Sequence, residues 1–147
     1  MEGAKRLTDL RTRLLSLAAL HSDRLVNEEL GRAGARKWHY AVLATLDEFG
    51  PASQAELSNR TRIYRSDLVA VINELAEQGN VERSPDPADR RRNVVSLTDA
   101  GRLQLRRLDE VLAGVENGIF APLSAAERAE LARMLTVVID HHGGHSM

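Results

Sequence analysis

The sequence of 147 residues contains no cysteine, no catalytic signature and no long apolar run, and each absence excludes a class of protein. Without cysteine there can be no disulfide, no thiolate metal site and no thiol-based sensing of oxidants. The HExxH, P-loop and G-x-S-x-G motifs are missing, so we expect no enzymatic activity and no cofactor. No apolar run reaches about eighteen residues and no signal-type core follows the N-terminus, which predicts a cytoplasmic protein without a membrane span.

The composition is that of one globular domain, with 43% hydrophobic and 28% charged residues. The formal net charge of −1 argues on its own against a nucleic-acid partner. The arginines, however, are clustered: Arg60, Arg62 and Arg65 lie in a stretch without acid, and Arg90 to Arg92 form a second group. Because much of the acid lies elsewhere, we expect a bipolar molecule whose basic end can face a phosphate backbone.

Residues 53 to 79 have the pattern of a helix-turn-helix. Ser53-Gln-Ala-Glu56 is a capping box, which predicts a short helix over 53–59. A second helix is expected to begin near Tyr64 or Arg65 and to stop at Gly79. Its apolar positions, which should face the core, are Leu68, Val71, Ile72 and Leu75. Its remaining positions, which are available to a DNA groove, are Tyr64, Arg65, Ser66, Val69 and Asn73.

The segment after Gly79 predicts a β-hairpin with a basic tip. Val81 to Arg83 and Val94 to Leu97 are strand candidates, and Ser84 to Asp89 is rich in turn formers. Three arginines in a row are most often a solvated turn. Beside a helix-turn-helix, however, Arg90, Arg91 and Arg92 suit phosphates and a narrow minor groove. The combination predicts a winged helix-turn-helix, in a mainly α-helical fold with a small hairpin wing.

The order of these motifs resembles the MarR family of bacterial transcriptional regulators over roughly residues 35 to 105. The matching residues are Ala55 to Ser58, Ile63 to Leu75, Gly79, Val81, Arg83, Asp86-Pro87, Asp89-Arg90-Arg91, Leu97-Thr98 and Gly101. The Asp-Arg-Arg, Leu-Thr and Gly string is the specific part. The resemblance implies that Asp89 orients Arg91, and that Arg91 is directed at the minor groove.

Two positions depart from the family pattern. Position 64, often Ser, Thr or Asp in the family, is tyrosine, and position 62, often glycine, is arginine. Because a tyrosine cannot cap a helix as a short hydroxyl or carboxylate does, the start of the recognition helix is predicted only to within a residue or two. The preferred base sequence is left open.

The candidate DNA contacts have different expected roles. Arg65 is the candidate for a bidentate guanine contact, Ser66 for a base or phosphate, and Val69 for a thymine methyl group. Asn73 is the groove position that is most easily explained as plain solvent face. Arg60 and Arg62 are expected to be phosphate contacts or turn residues. Ser53 and Gln54, at the start of the first helix, are also candidates for DNA binding.

Long amphipathic helices flank the DNA-binding segment. The first runs from about Leu7 to Leu30, another starts at Thr98 or Asp99, and Ser124-Ala-Ala-Glu127 caps a last one. Their apolar stripes would be exposed on a monomer, which predicts a homodimer and a palindromic operator. The expected organisation is an N-terminal dimerisation helix over 1–34, a DNA-binding lobe over 35–100 and C-terminal dimerisation helices over 101–147.

The histidines suggest two further sites. Asp140, His141, His142 and His145 form a C-terminal cluster, which we interpret as a frayed chain end and not as a metal site. His21, Trp38 and His39 lie near the junction where MarR-like proteins hold small aromatic or phenolic effectors. The alternative is that Trp38 is ordinary core and the histidines are partly exposed.

The sequence therefore predicts a homodimeric transcriptional repressor that a small aromatic or phenolic molecule releases from double-stranded DNA. Two other classes stay open. An architectural DNA-binding protein would have no effector site and would show no ligand-coupled change in affinity. A protein-interaction module whose arginine tip binds an acidic partner would show no operator preference.

Overall fold

The computed structural model describes residues 1–143, which form seven helices and one two-stranded hairpin. This confirms the mainly helical fold class. The helices are α1 (Lys5–Thr8), α2 (Arg11–Arg32), α3 (Lys37–Phe49), α4 (Gln54–Thr61), α5 (Arg65–Glu77), α6 (Asp99–Ile119) and α7 (Ala125–Gly143). The strands are β1 (Val81–Pro85) and β2 (Asn93–Leu97). Within the described part of the chain, no helix is long and apolar enough to cross a membrane.

The helices α4 and α5 form the predicted helix-turn-helix. Ser53 is the N-cap of α4, and its Oγ accepts a hydrogen bond from the backbone N–H of Glu56 at 3.2 Å. Arg62 ends α4 in the left-handed conformation, with φ 61°, where an L side chain is strained and glycine is not. The next helix begins at Arg65, and its N-cap Tyr64 makes no side-chain capping bond, as the departure at position 64 predicts.

The wing is an antiparallel hairpin joined to the helix-turn-helix. Its register pairs Val81 with Leu97 and Pro85 with Asn93, so both predicted strands are confirmed and each extends by one or two residues. Ala52, just before α4, exchanges two backbone hydrogen bonds with Val95, at 3.0 and 2.8 Å. The base of the wing is thereby fixed to the start of α4.

One buried cluster lies under these elements. The face of α5 predicted to be buried is buried, since Leu68, Val71, Ile72 and Leu75 have at most 1% of their surface exposed. The cluster also contains Leu30 at the end of α2 and Leu108 on α6, so the flanking helices contribute to the core of the DNA-binding segment. Such burial is the main term that stabilises the packing of these helices and the hairpin.

The flanking helices differ in detail from the expectation. The first helical stretch is broken at Asp9 into α1 and α2, and α2 passes through Gly31 to Arg32, so that the chain turns only at Gly34 with φ 75°. At the turn, the carbonyl oxygen of Ala33 accepts two hydrogen bonds from α6, from Gln104 Nε2 and Arg107 Nη2, each at 3.1 Å. The capping box that begins α7 forms in both directions, at 2.8 and 3.1 Å.

Candidate nucleic-acid interface

An open cleft of about 310 Å³ lies between the start of α4, the start of α5 and the base of the wing. Three arginines from three different elements line it: Arg65 of α5, Arg83 of β1 and Arg92 of the wing loop. The other lining residues are Ser53, Gln54, Ala55, Asn93 and Val95. None of these carries negative charge, so the cleft concentrates positive potential where the helix-turn-helix meets the wing.

The recognition helix α5 presents a polar face opposite the core. Arg65, Val69 and Asn73 are four residues apart, and all three are exposed. Tyr64 precedes them with 71% of its surface exposed. Asn73 is already engaged, because its Oδ1 accepts a hydrogen bond from Nη2 of Arg83 in β1. The exposed first turn of α5 is thus free to enter a groove, whereas its third turn is linked to the wing.

The tip of the wing is ordered by hydrogen bonds around Asp89. Asp89 Oδ1 accepts from the backbone N–H and from Nε of Arg91, each at 3.1 Å. The hydrogen bond from the Arg91 side chain is the main reason that the pKa of the Asp89 carboxyl lies below its usual range. Asp86 closes the loop, since its backbone N–H donates to the carbonyl of Arg92 at 2.8 Å. Arg91 is held at the tip while its side chain stays 91% exposed.

Arg60 and Arg62 lie apart from the residues that line the cleft. The guanidinium carbon of Arg60 is 3.7 Å from the ring centroid of Phe49, an exposed aromatic residue at the end of α3, which makes a cation–π contact. Arg62 approaches the end of α7, because a Cβ added to Gly143 would lie 2.7 Å from its Nη1. Arg60 therefore has an aromatic partner within the chain, and the Arg62 side chain lies beside the end of α7.

Two residues of this region, Arg83 and Phe49, were not among the site residues predicted from the sequence. Arg83 appears in the family motif, but a strand position does not reveal which helix packs beside it. Phe49 ends an apolar helix and gives no signal that an arginine of the next helix will stack on it. Their partners become visible only when the elements are packed together.

The three effector candidates are not brought together. His39 is a core residue with 3% of its surface exposed, and both ring nitrogens are engaged. Its Nδ1 accepts from the backbone N–H of Arg36 at 3.0 Å, and its Nε2 lies 3.0 Å from Oε2 of Glu74 on α5. Burial lowers the pKa of His39 more than the neighbouring Glu74 raises it. His39 is a structural link between α3 and α5 and cannot bind a ligand without breaking that link.

Trp38 and His21 have different surroundings. Trp38 is 42% exposed and lines a shallow cavity of about 340 Å³. The other lining residues are Asn27, Gly31, Ala35, Arg36 and Lys37. His21 is exposed on α2 and does not line this cavity.

A second cavity lies between α2, α3 and α6, and it is lined by Tyr40 and not by Trp38. This second cavity measures about 380 Å³. The Oη of Tyr40 donates to Oδ1 of Asp109 at 2.6 Å, and this bond raises the pKa of Tyr40 to about 12.

The C-terminal histidine cluster can be described only in part. The rings of His141 and His142 meet edge to face, with centroids 4.7 Å apart. Among residues 1–143, no three histidine, aspartate or glutamate side chains are grouped so as to hold a metal ion. His145 lies outside the described residues.

Residues 33–92, from the end of α2 to the wing loop, match the family model described as MarR family. The chain belongs to the MarR family. The matched segment contains every residue, from Ser53 to Arg92, that the sequence analysis predicts to contact DNA. The HTH-type transcriptional repressor NicR of Pseudomonas putida is 31% identical to this MarR-family chain over 101 residues, which is 69% of this chain and 64% of NicR. The chain spans 64%, 58% and 59% of the lengths of the first three curated relatives it matches.

Solved structures share the whole fold and not only the matched segment. A probable transcriptional regulator from Pseudomonas aeruginosa superimposes with a TM-score of 0.81 at 31% identity, covering 90% of this chain and 99% of that one. The transcriptional repressor CouR of Rhodococcus jostii RHA1, bound to a 23-mer DNA duplex, superimposes with a TM-score of 0.85 at 26% identity. That alignment covers 94% of this chain and 98% of CouR.

Proposed function

We propose that this MarR-family protein is a sequence-specific DNA-binding transcriptional regulator that acts as a homodimeric repressor. The observation that carries the proposal is the cleft in which Arg65, Arg83 and Arg92 converge from the recognition helix, the wing strand and the wing loop. Guanidinium groups fit phosphate and guanine, and three of them in one cleft without acid select a polyanion over a neutral partner.

The proposed division of work follows from exposure. Arg65, Ser66 and Val69, on the exposed side of the first two turns of α5, read bases in the major groove, with Tyr64 beside them. Arg91, held by Asp89, enters the minor groove together with Arg90, and Arg92 stays at the cleft. At the start of α4 Gln54 binds phosphate, whereas Ser53 is buried and serves as the helix cap, and Arg60 and Arg62 lie at the edge of the surface.

A second copy of the chain completes the proposed DNA reader. Both flanks expose apolar side chains in number, which a monomer would leave in water. The exposed residues are Leu7, Leu10, Leu14, Leu15, Leu17 and Leu20 before α3, and Met134, Val137, Val138 and Ile139 on α7. Segments 1–34 and 101–147 then form the dimer, and two lobes of 35–100 meet a palindromic operator.

The relatives support the type of function. CouR, which shares the fold at 26% identity, is a repressor whose structure includes a DNA duplex, and NicR is named as a repressor. A regulator of this kind acts where the chromosome lies, so we include a cytoplasmic location in the proposal.

The proposal also includes an effector: a small aromatic acid that releases the protein from DNA. The cavity beside Trp38 offers an indole face together with the positive charges of Arg36 and Lys37, which suits a planar anion. Arg36 also binds Glu74 of the recognition helix, with Nη2 to Oε2 at 2.7 Å. A ligand that engages Arg36 is therefore one contact away from α5.

The experiment that tests the function is a binding titration with DNA from upstream of the protein's own gene against random DNA of equal length. We expect a preferred palindromic site, and an affinity that falls steeply with salt because several arginines displace counterions. Arg65→Ala should cost about 1–3 kcal/mol on the preferred site and less on random DNA. Equal affinity for all duplexes would favour the architectural protein, and binding of acidic peptide but no DNA would favour the interaction module.

A further inference from the structure

Asn73 lies on the third turn of the recognition helix, and its side chain is linked to the wing. Its Oδ1 accepts a hydrogen bond from Nη2 of Arg83, in the middle of β1. Within residues 1–143 this is the one side-chain hydrogen bond between α5 and the hairpin. We propose that Asn73 is a positioning residue that sets the angle between recognition helix and wing through Arg83, and does not read a base. The inference rests on the proposed DNA-binding function.

Arg83 is placed on the rigid part of the wing. It pairs with Val95 across the hairpin, and Val95 is itself 1% exposed and bonded on its other edge to Ala52. The backbone of Arg83 is thus fixed relative to α4, whereas the hydrogen bonds described at the wing tip are local to the loop, around Asp86 and Asp89. A side-chain link from α5 to Arg83 joins two rigid bodies, so it can fix how far apart their DNA-contacting ends lie.

The engaged carbonyl also argues against base reading by Asn73. An asparagine reads adenine with both ends of its amide, because its carbonyl accepts from N6 and its amino group donates to N7. In this chain the carbonyl is directed at Arg83. The guanidinium of Arg83 has five N–H donors, so that it can hold Asn73 and still offer donors to a phosphate in the cleft that it lines.

Three variants of the full-length protein test this link: Asn73→Ala, Asn73→Asp and Arg83→Met. We expect Asn73→Ala to weaken operator binding about fivefold, the equivalent of one hydrogen bond, by the same factor on every single-base variant of the operator. Asn73→Asp keeps an acceptor for Arg83 and should bind within about twofold of wild type, although it adds a negative charge. In a chain that carries Arg83→Met, adding Asn73→Ala should cause no further loss.

The opposite results would overturn the proposal. A carboxylate that faces DNA is repelled, so a loss of tenfold or more in Asn73→Asp would place residue 73 at the groove. A changed preference at one base pair in Asn73→Ala would also place residue 73 at the groove. An undiminished loss on the Arg83→Met background, or no loss at all in Asn73→Ala, would show that the link to Arg83 does not position the two elements. Glu77→Ala, at the exposed end of α5, is the matched control and should bind as wild type. Because wild type must first prefer its operator, failure of the proposed function is recognised before any variant is compared.

Discussion

The Nε2 of His39 on α3 lies 3.0 Å from Oε2 of Glu74 on the recognition helix, and the Nδ1 of the same ring accepts from the backbone N–H of Arg36. Because Nδ1 is an acceptor, the ring is the neutral tautomer that donates from Nε2 to Glu74. A proton on Nδ1 would oppose the Arg36 N–H. One buried imidazole therefore joins the start of α3 to α5 in one protonation state only.

Stability should fall when the pH falls below about 6.5, the unperturbed pKa of histidine. Burial lowers the pKa of His39 in the folded protein, so between its folded and unfolded values the unfolded chain binds the extra proton. The stabilising contribution of neutral His39 is complete above its pKa in the unfolded chain. It is lost as the pH falls toward the lower pKa of His39 in the folded protein. Urea titrations from pH 7.5 to 5 measure this, and His39→Gln should flatten the dependence in that window. An unchanged slope in His39→Gln would assign it to other groups.

The wing tip should contribute to DNA binding and little to folding. Arg91 is exposed and makes its polar contacts within the loop, so Arg91→Ala should lower operator affinity about tenfold and leave the melting temperature nearly unchanged. Asp89→Ala should lose part of the same affinity, because Asp89 holds Arg91. Fluorescence anisotropy and thermal melts measure the two quantities. Normal DNA binding by both variants would show that the tip of the wing does not contact DNA.

Gly101, at the start of α6, should not tolerate a side chain. A Cβ at this position would lie 2.1 Å from the carbonyl oxygen of Asn80, which already accepts from the backbone N–H of Thr98 at 3.1 Å. We expect Gly101→Ala to cost about 2–3 kcal/mol in the free energy of unfolding. Gly31→Ala is the control, because nothing lies within 4 Å of its added Cβ, and it should be neutral or slightly stabilising. Equal losses of stability in Gly101→Ala and Gly31→Ala, measured by urea unfolding, would contradict the close approach of Gly101 to the carbonyl of Asn80.

An aromatic carboxylate such as salicylate should quench the fluorescence of Trp38 and weaken operator binding over the same concentration range. The indole is the one tryptophan of the chain and lines the cavity with Arg36 and Lys37. Lys37→Ala should raise the concentration needed for both effects, whereas Tyr40→Phe, in the second cavity, should change neither. A hundredfold loss of DNA affinity corresponds to about 2.7 kcal/mol of coupling. Quenching without loss of DNA binding would separate the cavity from the switch.

Much of the helix-turn-helix could be predicted because its signals are local. Each signal determines the conformation of the few residues around it, and the structure confirms each at its predicted position. These signals are the cap at Ser53, the apolar spacing of Leu68, Ile72 and Leu75, and the left-handed glycine at Gly79. The same holds for the strands, in which turn formers flank Val81 and Val95.

The contacts between elements could not be predicted in this way. The burial of His39, the link from Arg83 to Asn73 and the stacking of Arg60 on Phe49 each depend on how two separate secondary-structure elements are packed. The effector candidates failed to converge for the same reason, since Trp38 and His39 are neighbours on one helix and point to different sides of it.

The carbonyl of Ala33 accepts from both Gln104 and Arg107. Because the acceptor is a backbone atom, no substitution at position 33 other than one that breaks the turn can remove it. Loss of either donor leaves the oxygen satisfied by the other, so the junction between α2 and α6 tolerates single replacements on α6. A replacement at position 104 or at position 107 therefore makes the carbonyl of Ala33 depend on the one remaining side-chain donor.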